Sequence, residues 1–88
     1  MSDYNTSANE GEKLTREFIQ LRMKKKDISM HRIQKLTGVN ETTVGRWLRG
    51  ETSISFNNFL KICGALEIRP YLVEDEDDDN EMQRMFFN

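Results

Sequence analysis

The stretch from Ser29 to Gly50, S-M-H-R-I-Q-K-L-T-G-V-N-E-T-T-V-G-R-W-L-R-G, decides how the chain folds. Ser29 is a helix N-cap, with a hydroxyl that can accept from a first-turn amide. The residues after it predict a short helix to about Leu36. Gly38 then offers the left-handed backbone that a sharp turn requires. Asn40 is a second N-cap, and a second short helix is predicted from Glu41 to about Arg49, with Gly50 as its stop. Ile33, Leu36, Val39, Val44, Trp47 and Leu48 fall where two such helices must meet a common core.

Upstream, residues 1–10 are small and polar and predict a flexible arm. Residues 11–26 predict a helix in which Leu14, Phe18 and Leu21, flanked by Ile19 and Met23, form the apolar stripe. Its basic end, Lys24-Lys25-Lys26, suits the negative end of the helix dipole. Downstream, Ser55 caps a helix with Phe56, Phe59, Leu60, Cys63 and Leu66 at amphipathic spacing. In Ile68–Glu74, Pro70 interrupts helix, leaving an edge strand or a short fifth helical turn. The expected organisation is an arm (1–10), an all-α domain of four to five short helices (11–73), and a disordered acidic tail with an apolar end (74–88).

The 88 residues carry a formal net charge of -2, but the charge is segregated. Residues 13–73 hold twelve basic and five acidic side chains, whereas residues 74–88 hold seven acids and one arginine. A basic domain attracts polyanions, the phosphate backbone of nucleic acid foremost. No apolar run approaches the roughly 20 residues that cross a bilayer. No basic-then-apolar leader opens the sequence. One cysteine precludes an intrachain disulfide framework. A cytoplasmic protein of a bacterial or phage-infected cell is expected.

Helix, turn and helix at this spacing form a helix-turn-helix, which presents its second helix to the major groove. From Phe18 to Ile68 the sequence resembles the phage repressor and Cro family, also called XRE-type regulators. G-V-N-E-T-T-V-G-R-W-L-R-G and the later F-L-K-I-C-G-A-L-E-I carry the resemblance. It implies a lambda-repressor-like bundle and a double-stranded DNA partner. Two positions depart from the family pattern. Met23 and Leu48 stand where many members pair Arg with Glu, so an apolar contact replaces an ion pair. Met30 stands where a base-reading Gln is common, and a thioether cannot hydrogen-bond an adenine edge.

On the second helix of the motif, Thr42, Gly45, Arg46 and Arg49 share the face opposite Val44, Trp47 and Leu48. Arg46 can donate twice to guanine O6 and N7, and Thr42 and Thr43 can bond bases or phosphates and touch thymine methyls. Glu41 can accept from cytosine N4 or favour the positive helix end. Gly45 costs roughly 1 kcal/mol in a helix interior and would let the backbone approach DNA. Ser29, the N-terminal amides of the first helix, and Thr52 and Ser53 in the following loop are placed for phosphates. His31 and Arg32 can add a phosphate contact, and Met30 occupies the base-facing position. Lys25 and Lys26 are candidates to reach the same backbone.

Neither a paired acid and base, a nucleophile with its activator, nor a His/Cys cluster is apparent, so no catalysis, metal or cofactor is expected. The reading is a sequence-specific DNA-binding transcriptional regulator. It is expected to repress by operator occlusion as a homodimer, with Ile68–Val73 as a dimer contact. Two alternatives belong beside it: an antitoxin whose C-terminal tail binds a toxin, and a protein-interaction adaptor that has lost DNA binding. The tail itself reads as inert, as a competitor for the basic face, or as an anchor for a protein partner.

Overall fold

A computed structural model describes residues 3–72. They form four helices and no strand: α1 (Tyr4–Lys26), α2 (Met30–Thr37), α3 (Glu41–Leu48) and α4 (Phe56–Ala65). The acidic tail, its apolar end and Val73 lie outside the described residues, so the expectations placed on them are not addressed by the fold. The rest of the candidate dimer segment, Ile68–Leu72, is neither helix nor strand. Ile68 packs against the core, and Arg69–Leu72 are exposed.

Local chemistry sets most of the helix ends. Ser29 Oγ accepts from Arg32 N at 3.1 Å, and Ser55 Oγ accepts from Asn58 N at 3.1 Å. Asn40 Oδ1 accepts from Thr42 N at 2.8 Å. Each satisfies an amide that the first helical turn leaves without a backbone acceptor. Gly38 closes α2 at φ +81°, and Gly50 follows α3 at φ +78°. Both lie in the left-handed region that an L side chain enters at a cost of roughly 1–2 kcal/mol.

Three expectations need correction. The first is the flexible arm, because residues 4–10 are helical. Asp3 caps this extension by accepting from Asn5 N at 3.1 Å, so the run of small polar residues is the first turns of α1. The second is the face of α1. Ile19 is buried and Met23 packs beside it, whereas Leu14, Phe18 and Leu21 point away from the bundle. Two apolar strips run along this helix, and its rotation is fixed by polar ties that periodicity does not reveal. Gln20 Nε2 donates to Leu48 O at 2.9 Å, and Arg22 Nε donates to Leu66 O at 3.0 Å. The third is the margin of the α4 face. Phe59, Cys63 and Leu66 lie on the core side as expected, but Ile62 joins them fully buried while Phe56 and Leu60 are exposed. Leu36, expected in the core, is half exposed.

The core gathers one layer from every helix: Ile19, Ile33, Val39, Val44, Trp47, Leu48, Ile62, Cys63 and Leu66. α2 packs on both α3 and α4, and α1 packs on α3. Burying each aliphatic side chain stabilises the fold by about 1.5–3 kcal/mol. Trp47 meets Phe59 edge-on, with ring centroids 5.9 Å apart, a favourable aromatic geometry. Met23 and Leu48 both pack into this core, at the positions where the resemblance replaces an ion pair. Burial pushes the Cys63 thiol pKa up. The buried apolar side of α3 leaves its other side outward, and that side defines the site.

Candidate nucleic-acid interface

α3 is amphipathic across its width. Val44, Trp47 and Leu48 are buried, while Thr42, Thr43, Arg46 and Arg49 are exposed. The residues expected to read bases therefore lie outward on one short helix, backed by a rigid core.

Gly45 is the exception on that face. It is buried, and a Cβ there would lie 3.2 Å from Met30 Sδ and 3.3 Å from Arg49 Nη1. The missing side chain thus makes room for Met30 at the start of α2 and for the Arg49 guanidinium. Met30 bridges the two helices of the motif and keeps part of its surface open.

The start of α2 and the start of α3 are tied together. His31 Nδ1 lies 3.2 Å from Glu41 Oε1, a pairing in which the ring nitrogen donates to the carboxylate. Gln34 Oε1 accepts from Glu41 N at 2.7 Å. Gln34 went unnoticed in the sequence. The available signal was indirect: α3 needs acceptors for its first amides, and Asn40 supplies one to Thr42. Glu41 is thereby a joint between helices, and His31 is engaged with it. Ser29 uses a lone pair as a cap, but its hydroxyl proton stays available to an anion.

The loop after α3 holds Thr52 and Ser53, both exposed. They line a cavity of about 190 Å³ that also takes in Arg16 of α1. A Cβ on Gly50 would lie 3.2 Å from Arg16 Nη2, so the guanidinium rests against the turn. Arg16 was not singled out from sequence, because a single arginine in α1 gives no sign that it meets this loop.

Arg49 is partnered. Its Nε donates to Glu51 Oε2 at 2.6 Å. That hydrogen bond holds the Glu51 carboxyl below its ordinary pKa, with the Arg49 and Arg46 charges adding to the effect, and it moves the Arg49 guanidinium up. The sign follows from linkage: a depressed carboxyl favours the folded state at neutral pH, and this contribution fades as pH falls through the depressed value. The pair also neutralises a cation on the recognition face. Glu51→Gln should release Arg49, raise duplex affinity at low salt, and steepen the dependence of log affinity on log salt by about 0.9. Fluorescence anisotropy across a salt series reads this, and an unchanged slope would place Arg49 out of reach of phosphate.

The two candidate lysines near the end of α1, Lys25 and Lys26, part company. Lys26 Nζ donates to Glu67 Oε1 at 2.6 Å, beside the end of α4. Lys25 follows Leu14, Phe18 and Leu21 on the outer side of α1. It lies away from Gln20 and Met23, the α1 residues that border Met30 and Arg49. The structure does not bring either lysine together with the α3 face. No three His, Cys, Asp or Glu side chains among the described residues gather into a metal-binding group.

A helix-turn-helix family profile matches residues 19–73, spanning α2, α3, α4 and about the last third of α1. The chain belongs to the XRE-type, Cro/C1-like helix-turn-helix family. This helix-turn-helix protein is accordingly a DNA-binding transcription regulator with double-stranded DNA as its partner. The family is a regulatory and typically non-enzymatic one. No curated protein matches the chain. No solved structure matches it. Among the described residues, no helix of this regulator is long and apolar enough to cross a membrane.

Proposed function

We propose that the protein is a sequence-specific repressor that occludes an operator as a homodimer. The observation that carries this reading is the outward Thr42, Thr43 and Arg46 face of α3, backed by buried Val44, Trp47 and Leu48. A recognition helix needs such a division, with one side held rigidly and the other free to enter a groove. Ser29, the first amides of α2, and Thr52 and Ser53 supply phosphate contacts that set its register. Arg16, beside that loop, adds a cation. A two-fold dimer places its recognition helices about 34 Å apart, one turn of duplex, on a roughly palindromic site.

Selection of bound sequences from random duplex DNA, followed by a salt titration on the winner, tests the proposal. Expected are a palindromic consensus and a log affinity that falls linearly with log salt, by about 0.9 per neutralised phosphate. Affinity that stays flat with salt, or no binding at low salt, overturns the repressor and favours an adaptor.

A further inference from the structure

The outer face of α1 is apolar and uncovered. Leu14, Phe18 and Leu21 follow one another at i, i+4 and i+7, so they share one side of the helix. They are 65%, 55% and 67% exposed. Ile19 and Met23, on the side facing the bundle, hold α1 to the core.

Charge is graded along the same face. Glu10 stands one turn before Leu14, and Lys25 stands one turn after Leu21. Neither forms an ion pair among the described residues. Read along the helix, the face runs acid, Leu, Phe, Leu, base. Glu10 and Lys25 are spaced evenly about a midpoint between Glu17 and Phe18, and so are Leu14 and Leu21. Reversing the helix therefore lays acid on base and leucine on leucine. A face with that property is complementary to an inverted copy of itself, which is the requirement of an isologous two-fold contact.

We propose that a second copy of this chain docks here, with the two α1 helices antiparallel about an axis near Phe18. Glu10 of one copy meets Lys25 of the other at both ends, about 22 Å apart along the helix at its usual rise. Leu14 packs on Leu21 of the other copy, and the two Phe18 rings meet near the axis. Glu17 flanks the axis and faces its own copy, a like-charge pair that keeps the association weak. The contact covers a few helical turns, well short of the roughly 1,600 Å² of a standard interface, so the dimer is reversible. This inference rests on the homodimer reading above and adds where the copies meet.

Sedimentation equilibrium of the full chain over a concentration series tests it, with circular dichroism melts to confirm folding. Phe18→Ser should weaken self-association more than roughly tenfold, since two buried rings are lost per dimer. Glu10→Lys and Lys25→Glu should each weaken it roughly three- to tenfold at low salt. The double variant, Glu10→Lys with Lys25→Glu, should restore it, a rescue that a parallel arrangement does not give. Glu17→Gln should tighten the dimer, a change that loss of folding cannot mimic. A dimer indifferent to these changes but dissolved by Leu72→Ser overturns the α1 contact and leaves the homodimer standing. A chain that stays monomeric at every concentration, with and without DNA, overturns both.

Discussion

Trp47→Ala should remove a large share of the folding stability, about 3–5 kcal/mol, and lower the urea midpoint in proportion. Trp47 is 5% exposed and meets Phe59 edge-on at 5.9 Å. Truncating a buried tryptophan costs about 3–5 kcal/mol, from lost burial and from the cavity left behind. A domain of this size has only about 4–13 kcal/mol in total, at roughly 0.05–0.15 kcal/mol per residue. The loss falls on the helix that carries the recognition face, so DNA binding should weaken as the folded fraction falls. Urea denaturation followed by far-ultraviolet circular dichroism reads the effect. Trp47→Phe should retain much of the stability, because an aromatic edge still reaches Phe59. A Trp47→Ala protein within 1 kcal/mol of the parent would remove Trp47 from the core.

Arg46→Ala should leave the melting curve nearly unchanged and weaken binding to a cognate duplex by roughly 10- to 100-fold, the equivalent of about 1–3 kcal/mol. Arg46 is exposed in the middle of α3, next to the turn of the helix where Thr42 stands. A bidentate contact to guanine discriminates among bases, so preference at one operator position should relax as affinity drops. Glu51→Gln changes the salt slope instead, because it releases charge toward phosphate. The two variants separate base reading from backbone attraction on one surface. Unchanged affinity and preference in Arg46→Ala would take this side chain out of the groove.

The parts of the fold that could be read in advance are the local ones. Ser29, Asn40 and Ser55 cap their helices by accepting from backbone amides two or three residues away, and Gly38 and Gly50 turn the chain through their own backbone. Residue type alone carries that information. The rotation of α1 and the margin of the α4 face were not local in this sense, because each helix bears apolar residues on two neighbouring strips. The choice between them rests on partners far along the chain: Gln20 on Leu48, Arg22 on Leu66, Ile62 in the core.

The same distinction divides the site. The outward set on α3 follows from helical spacing around a tryptophan. Which candidate cations are already engaged does not, since Arg49 chooses Glu51 and Lys26, on α1, reaches Glu67 across 41 positions. Gly45 shows a subtler limit. Its absence of a side chain is legible as a signal of close approach, but it does not tell that Met30 of the neighbouring helix and the Arg49 guanidinium are the groups drawn up against it.

The single thiol of this chain, on Cys63, is 2% exposed and shifted toward its neutral form. Thiolate is the species that alkylating reagents attack. In the folded protein the native sulfhydryl should therefore stay silent toward maleimides. A cysteine engineered onto the surface would then take a spin label or dye selectively, with no need to mutate the interior first.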